Sequence, residues 1–190
     1  MIAEPLIAHR GCSLLQPENT LAAMTLTRDL GIGWVEVDAN VLGDGTLVMF
    51  HDDNLDRLTN GHGLLADQRW ASVRDLDVGS HFSSEYRAER IPSLKQALAH
   101  IQDLGLGLNL EIKLYPHFTP AHIVAGVTAI LDELWVDFSR LIISSFNTEA
   151  LRLLHAARPS WQLGHLCEEI PAGWEAIADE LALVSVHCDY

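Results

Sequence analysis

The sequence predicts an α/β protein, a barrel of parallel strands with helices packed outside it. Strand-like and helix-like segments alternate along all 190 residues, and no linker or low-complexity stretch interrupts them. Polar and charged residues follow four well-separated apolar runs, which is where barrels and open α/β sheets both place their chemistry. The separation of these runs along the chain favours the barrel over the open sheet.

Apolar periodicity and end signals predict the individual elements. Strands are expected near residues 5–9, 34–38, 46–51, 107–113, 140–145, 162–166 and 182–188. Helices are expected from about Glu18 to Leu30, over 93–104, from Thr119-Pro120 to about Leu134, and from Asn147 to just before Pro159. The helix over 93–104 has the clearest signals, because Ser93 and Gln96 match a capping box and Gly105 ends its apolar stripe.

The segment between the second and third predicted strands departs from the alternating pattern. It runs from Asp38 to Leu47 and is too short for a crossover helix. Its Gly43-Asp44-Gly45 sequence is typical of a tight turn and predicts a hairpin. The hairpin is expected to keep His51 near Glu36 and Asp38.

A second departure is the stretch 53–92, which has weak periodicity and many polar residues. We interpret it as an inserted lobe over the barrel mouth, since long loops in compact domains are usually functional. The length suits one core, so residues 1–190 are expected to form a single domain. The seventh predicted strand is followed directly by the end of the sequence, so the last βα unit of a complete barrel is expected to be absent.

Composition limits the classes of partner and the compartment. Hydrophobic residues make up 48% of the chain and charged residues 20%, which is typical of a globular protein. The net charge of −14 argues against nucleic acid and stable membrane association, because phosphate contacts need clustered Lys and Arg. Three cysteines without metal-site spacing, and no evident signal peptide or membrane span, predict a cytoplasmic protein with free thiols.

Carboxylates and cations alternate at the ends of two predicted strands. Glu36 and Asp38 are two residues apart on one strand, so their side chains point the same way, and Glu111 and Lys113 repeat this spacing. Buried carboxylates need a positive partner, and an all-oxygen set suits Mg²⁺ or Ca²⁺ better than zinc. The structural alternative is a buried ion-pair network of the three carboxylates with Arg10 and Lys113.

Two histidines complete the candidate chemistry. His9 and His51 each end an apolar run and precede a charged residue. Histidine is the side chain best matched to proton transfer near neutral pH, so both are candidate acid–base groups. Arg10 can hold a phosphate oxygen through a forked contact, and Lys113 can face the same phosphate. The set is close to a complete site for phosphodiester cleavage.

These residues belong to short motifs that, in their order and spacing, resemble the glycerophosphodiester phosphodiesterases of the PLC-like phosphodiesterase superfamily. The motifs are His9-Arg10-Gly11, Pro17-Glu18-Asn19-Thr20, Glu36-Val37-Asp38, Asp44-Gly45, His51-Asp52, Leu55-Asp56-Arg57, Thr59-Asn60-Gly61, Glu111-Ile112-Lys113 and Ser145-Phe146-Asn147. They extend over almost the whole chain, so the set is highly specific.

The resemblance implies a distorted (β/α)₈ TIM barrel with a lobe inserted after the strand that carries His51. It implies metal-dependent hydrolysis of small-molecule glycerophosphodiesters to sn-glycerol 3-phosphate and an alcohol, with a place in lipid or glycerol metabolism. The alternatives are a related phospholipase acting on lysolipids or phosphoinositides, and a catalytically silent barrel that binds phosphodiesters. The sequence leaves a homo-oligomer open.

The same resemblance implies a role for each site residue. The implied roles are general acid and base for His9 and His51, in either order; metal ligands for Glu36, Asp38 and Glu111; phosphoryl-charge stabilisation for Arg10 and Lys113; substrate orientation for Glu18 and Asn19; and an apolar pocket wall for Phe146. The implied cofactor is a divalent ion, Mg²⁺ or Ca²⁺.

Overall fold

The computed structural model describes residues 6–188 of the chain. Residue 5, where the first predicted strand starts, and the terminal residues 1–4, 189 and 190 of the predicted domain lie outside the described residues. The strands are β1 Ala8–His9, β2 Trp34–Val41, β3 Leu47–Met49, β4 Gly107–Ile112, β5 Leu141–Ser145, β6 Gln162–Cys167 and β7 Ser185–Cys188. The α-helices are α1 Leu21–Asp29, α2 Trp70–Val73, α3 Leu94–Asp103, α4 Pro120–Leu134, α5 Thr148–Ala157 and α6 Trp174–Leu181.

The strands form one curled sheet in an α/β fold, as a half-barrel. Its order is β1-β2-β4-β5-β6-β7, and these neighbours all pair in parallel. Strand β3 is the exception, because it pairs antiparallel with the end of β2. The register places Asp38 opposite Glu111 and Glu111 opposite Ser144, so three neighbouring strands present polar side chains at the same level.

Strand β2 separates the core from the polar side of the sheet. All eight of its residues are buried. Val35, Val37 and Ala39 belong to the main hydrophobic core, whereas the intervening Glu36 and Asp38 are buried on the other face. The core packs helices α3, α4 and α5 against the outer face of the sheet through residues such as Leu98, Val127 and Leu151. The predicted capping box of α3 is confirmed in both directions.

Helix α1 begins later than predicted, at Leu21 instead of about Glu18. Asn19 has a left-handed φ of +56°, which interrupts the helical path, and the Thr20 side chain caps the helix by accepting a hydrogen bond from the Ala23 amide. Glu18 and Asn19 therefore stay in the loop between β1 and α1, where both contact site residues.

The predicted hairpin between β2 and β3 is confirmed. The amides of Leu42 and Gly45 close its turn by donating to the carbonyls of Thr46 and Leu42, each at 2.9 Å. Ala39 pairs with Met49, and the Phe50 amide donates to the Asp38 carbonyl at 3.1 Å. His51 thus follows the residue directly opposite Asp38.

The stretch 53–92 contains the short helix α2 and two single turns of 3₁₀-helix, Leu65–Asp67 and Ser84–Tyr86. It encloses a second hydrophobic cluster, separate from the main core, that includes Leu55, Leu58 and Val73 together with Phe50 of the hairpin. Helix α6 was not among the predicted helices. Left-handed residues, Gly173 and Ala182, flank its eight residues, and no side chain caps it. No helix within residues 6–188 has both the length and the apolar character that a bilayer crossing requires.

Candidate active site

Three carboxylates from two adjacent strands meet on the polar face of the sheet. Glu36 and Asp38 project from β2 and Glu111 from β4, and one oxygen of each lies within 4.8 Å of the others. All three residues are buried, Asp38 completely. Three anionic groups at this separation are costly in a buried position unless cations compensate them.

The oxygens of this carboxylate cluster are incompletely satisfied. Glu36 Oε1 and Asp38 Oδ1 are buried and accept no hydrogen bond from any described residue. Burial and the neighbouring Asp38 charge raise the pKa of Glu36 well above its ordinary value. Burial also raises the pKa of Glu111, although the Lys113 ammonium opposes this. A hard divalent cation would supply the missing charge and the missing contacts, so the residues fit Mg²⁺ or Ca²⁺.

Two cationic side chains contact the cluster, so part of the buried ion-pair network that the sequence analysis named as the alternative is present. Lys113 Nζ lies 2.8 Å from Glu111 Oε1 and 3.6 Å from Asp38 Oδ1. Arg10 Nε lies 3.4 Å from Asp38 Oδ2, and the Arg10 amide donates to Glu36 Oε2 at 2.9 Å. Two positive side chains against three carboxylates leave the group short of positive charge. The ion pairs therefore leave a deficit of positive charge that a further cation could fill.

The loop between β1 and α1 holds this arrangement from one side. Arg10 and Asn19 both adopt left-handed backbone angles, and the Asn19 amide donates to the Arg10 carbonyl at 3.0 Å. Asn19 Nδ2 donates to Asp38 Oδ2 at 2.7 Å, and the Asp38 amide donates back to Asn19 Oδ1 at 3.1 Å. Asn19 therefore orients a carboxylate of the cluster. Glu18 accepts a hydrogen bond from Arg10 Nη1 at 2.8 Å.

The two candidate acid–base groups border the cluster. His9 Nε2 is 3.9 Å from Glu36 Oε2, and its side chain is 68% exposed. Burial of part of the ring and the nearby Arg10 charge lower the pKa of His9, which favours its neutral form. His51 directly follows Phe50, whose amide donates to the Asp38 carbonyl at 3.1 Å, so it lies at the same edge of the sheet as the cluster.

His51 is held by groups that the sequence prediction did not include. Its Nδ1 lies 2.7 Å from Asp52 Oδ1, and its carbonyl accepts a 2.6 Å hydrogen bond from the Tyr115 hydroxyl. Asp52 in turn accepts from Arg57. Asp52 and Arg57 both belong to motifs named in the sequence analysis, but no role was predicted for either side chain.

A cavity of about 460 Å³ opens beside the cluster. Its polar wall includes His9, Glu36 and Glu111, and its apolar side includes Phe146 and Leu166. Phe146 also borders an adjoining pocket of about 310 Å³ that Lys113 lines. The structure thus brings all ten sequence-predicted site residues into one region, through direct contacts, a shared cavity wall or, for His51, the hairpin that pairs with the strand carrying Asp38.

Comparison with known proteins identifies the family. The model of the glycerophosphoryl diester phosphodiesterase family matches residues 9–189. The chain belongs to this family. The glycerophosphodiester phosphodiesterase of Caldanaerobacter subterraneus subsp. tengcongensis is 38% identical over 164 residues, which are 84% of this chain and 65% of that protein. Human glycerophosphodiester phosphodiesterase 1 is 31% identical over 151 residues, 76% of this chain and 43% of that protein. The chain therefore spans less than two thirds of either relative.

Solved structures of the family share the fold. A phosphodiesterase of Oleispira antarctica, in complex with the product sn-glycerol-3-phosphate, superposes with a TM-score of 0.93 at 39% identity. That match covers 97% of this chain and 75% of the other. A glycerophosphodiester phosphodiesterase from Agrobacterium tumefaciens has the same fold, with a TM-score of 0.82 at 24% identity over 96% of this chain and 74% of the other.

Proposed function

We propose that this chain is a metal-dependent glycerophosphodiester phosphodiesterase, which hydrolyses small glycerophosphodiesters to sn-glycerol 3-phosphate and an alcohol. The observation that carries the proposal is the buried carboxylate cluster, with its unsatisfied oxygens, bordered by His9 and His51. The family supports the substrate class, and the similar Oleispira antarctica protein binds the corresponding product.

In this proposal Glu36, Asp38 and Glu111 hold one Mg²⁺ or Ca²⁺ ion. When bound, the ion neutralises the carboxylates and polarises a phosphate oxygen of the substrate. Asn19 keeps Asp38 oriented through its two hydrogen bonds. The unsatisfied Asp38 Oδ1 and Glu36 Oε1 favour a cation at this position over a closed ion-pair network.

Arg10 and Lys113 stabilise the negative charge that develops on the phosphoryl oxygens. Both side chains are largely buried beside the carboxylates, so their charges act in surroundings where water screens them little. Glu18 holds the Arg10 guanidinium in place. Phe146 contacts the carbon skeleton of the substrate from the apolar side of the cavity.

His9 and His51 transfer the protons. One imidazole removes the proton of the attacking group, which is water or the neighbouring glycerol hydroxyl, and the other protonates the leaving alcohol. If the glycerol hydroxyl attacks, a cyclic glycerophosphate forms first, and water then opens it to sn-glycerol 3-phosphate while the two imidazoles exchange roles. The lowered pKa of His9 favours its neutral, proton-accepting form, and the hydrogen bond with Asp52 fixes the His51 ring. The geometry permits either assignment of acid and base.

The remaining predictions on organisation belong to the same proposal. The domain covers residues 1–190, the stretch 53–92 is a lobe inserted in it, and the curled sheet is part of a distorted (β/α)₈ barrel. The separate hydrophobic cluster of residues 53–92 supports the lobe. A cytoplasmic location stays a prediction from composition.

The test is turnover of glycerophosphocholine and glycerophosphoethanolamine by the 190-residue chain, with sn-glycerol 3-phosphate detected enzymatically. Turnover is expected with Mg²⁺ or Ca²⁺, none after chelation, and recovery when the ion returns. Asp38→Asn is expected to be inactive at every ion concentration, and Glu175→Gln, at an exposed carboxylate on α6, to be fully active. Tight binding of sn-glycerol 3-phosphate without turnover of any diester would indicate the silent barrel instead. Turnover of lysolipids alone would indicate the phospholipase.

A further inference from the structure

We propose that Arg57 is a positioning residue that clamps Asp52 and Glu18 together and thereby fixes both His51 and Arg10 for the reaction. The inference rests on the proposed function, because His51 and Arg10 are its proposed acid–base and phosphate-binding groups. It explains the Leu55-Asp56-Arg57 motif, to which no role has been given above.

The first half of the clamp is a forked contact with Asp52. Arg57 Nε donates to Asp52 Oδ2 and Arg57 Nη2 to Asp52 Oδ1, both at 2.7 Å. Two parallel bonds to one carboxylate fix its plane as well as its distance. Asp52 Oδ1 is also the atom that meets His51 Nδ1 at 2.7 Å. The orientation of the His51 ring is therefore linked to the Arg57 guanidinium through one carboxylate.

The second half is a contact with Glu18 in the loop between β1 and α1. Arg57 Nη1 donates to Glu18 Oε2 and Arg57 Nη2 to Glu18 Oε1, both at 3.0 Å. Glu18 Oε1 also accepts from Arg10 Nη1 at 2.8 Å. One guanidinium thus joins two segments that are far apart in sequence, and a continuous path runs from His51 through Asp52, Arg57 and Glu18 to Arg10.

Charge and placement match a positioning role. The path contains two guanidinium groups and two carboxylates, so its formal charges cancel when the His51 imidazole is uncharged. Arg57 lies two residues after Leu55, which is almost fully buried in the second hydrophobic cluster. The Arg57 backbone is therefore anchored beside the site. The Arg57 side chain itself is 49% exposed. Exposed ion pairs contribute little to stability, whereas small displacements of reacting groups are costly for catalysis.

The variants Arg57→Ala, Arg57→Gln and Arg57→Lys test the proposal, with Arg87→Ala as the matched control. Arg87 is an exposed arginine of the same segment, and its side chain makes no hydrogen bond with the described residues. In the loaded enzyme, Arg57→Ala and Arg57→Gln are expected to lower kcat about 10²-fold, as for a misplaced reacting group, with little change in KM or Tm. Arg57→Lys is expected not to rescue kcat, because a lysine cannot form the two forked contacts. Arg87→Ala is expected to match wild type.

Chemical rescue distinguishes the loss of the forked guanidinium geometry from the loss of a positive charge. Ethylguanidinium added to Arg57→Ala is expected to restore part of kcat, and ethylammonium at the same concentration to restore none. Equal rescue by both ions, or wild-type kcat in Arg57→Ala, would overturn the proposal. So would a kcat loss that only parallels a drop in Tm.

A readout independent of turnover is the ¹⁵N NMR spectrum of the His51 imidazole. Ionised Asp52 can only accept, so wild-type His51 is expected to carry its proton on Nδ1. Arg57→Gln is expected to shift this signal toward a mixture of tautomers, and Arg87→Ala to leave it unchanged. An unchanged His51 signal in Arg57→Gln contradicts the positioning role. If the wild-type chain hydrolyses no diester, the proposed function fails, and this spectrum still decides whether Arg57 positions His51.

Discussion

Asp38 and Glu111 lie directly opposite each other in the parallel register of β2 and β4, and Lys113 contacts both carboxylates. Backbone pairing sets the separation of such neighbours, so loops are not needed to bring the two acids together. Glu36 joins them from the same face of β2. The positions of the three carboxylates are therefore as rigid as the sheet, which suits a site that must hold an ion without rearrangement.

Divalent ions are expected to stabilise the protein, because the ion relieves the repulsion within the cluster and satisfies its free oxygens. Saturating Ca²⁺ or Mg²⁺, at about 100 times Kd, is expected to add about 2.7 kcal/mol to the free energy of unfolding and to raise Tm. Asp38→Asn is expected to lose this response and Glu175→Gln, at an exposed position on α6, to keep it. Calorimetric scans with chelator and with ion provide the measurement. Identical wild-type scans in both would contradict a cation site.

The two histidines are expected to matter for turnover far more than for folding. His9→Ala and His51→Ala are each expected to lower kcat about 10²–10⁴-fold, the usual effect of losing an acid or base. Folding is expected to survive, since neither side chain belongs to the hydrophobic clusters. His62→Ala, whose side chain is 84% exposed, is the control and is expected to match wild type. Near-normal kcat in either site variant would remove that histidine from the mechanism.

Lys113→Met is expected to bind the ion more tightly and yet to react more slowly. Removing an ammonium 2.8 Å from Glu111 and 3.6 Å from Asp38 leaves more negative charge for the ion. The same change removes a partner of the phosphoryl charge and is expected to lower kcat/KM about 10²-fold. Titration calorimetry and steady-state kinetics measure the two effects. The other lysine offers the control, because Lys95 pairs with Glu133 on the surface and Lys95→Met is expected to change neither. Loss of Tm with full specific activity would make Lys113 structural only.

Asp52 is expected to make a modest contribution to the loss of stability in acid. Burial alone would raise its pKa, but hydrogen bonds from Arg57 and His51 outweigh this and lower the pKa of Asp52 from 3.8 to about 2. A carboxyl whose pKa is lower in the folded state stabilises the protein above its unfolded value, and this stabilisation is lost as the pH falls through the folded value. Between pH 3.8 and about 2, the urea midpoint of wild type is therefore expected to drop more than that of Asp52→Asn. Parallel pH profiles would show that the hydrogen bonds of Asp52 add no stability.

Gly11→Ala is expected to disturb the loop that carries Arg10. Gly11 has a φ of +76°, and an added Cβ would lie 2.6 Å from Ala23 Cβ and 2.8 Å from the Ala23 carbonyl carbon. Gly31 has nearly the same φ, +75°, and no atom of residues 6–188 lies within 4 Å of an added Cβ. Gly31→Ala is thus expected to cost about 1–2 kcal/mol for the left-handed backbone, and Gly11→Ala about 1–3 kcal/mol more for the steric overlap. Chemical denaturation measures both. Equal losses would mean that α1 can move away from Gly11.

The strands and most of the candidate site were predictable because they depend on local patterns. Glu36 and Asp38, like Glu111 and Lys113, share a face through two-residue periodicity, and parallel strands bring such faces together without any information on loops. The tight turn at Gly43–Gly45 is also a local signal, and it delivers His51 to the same region.

What the sequence did not predict depends on tertiary contacts or on unusual backbone angles. The start of α1 moved because Asn19 adopts a left-handed φ, which no periodicity indicates. Arg57 reaches Glu18 across 39 positions, so only the folded chain shows that they meet. Helix α6 escaped prediction because it has no capping side chain and is only eight residues long.

Insertions or deletions in the turn between β2 and β3 are expected to disrupt the candidate site. A strand that slips by one residue turns every side chain to the opposite face of its sheet. One residue inserted at Asp44 would therefore exchange the faces of Val48 and Met49, which now belong to different hydrophobic clusters, and would displace His51 and Asp52 together from the carboxylates. Among homologous proteins and engineered variants, insertions and deletions are therefore expected to be excluded from this hairpin. Changes of identity are expected to be restricted as well, because Gly45 has a φ of +84° and Asp44 accepts hydrogen bonds from the Thr46 and Trp70 amides.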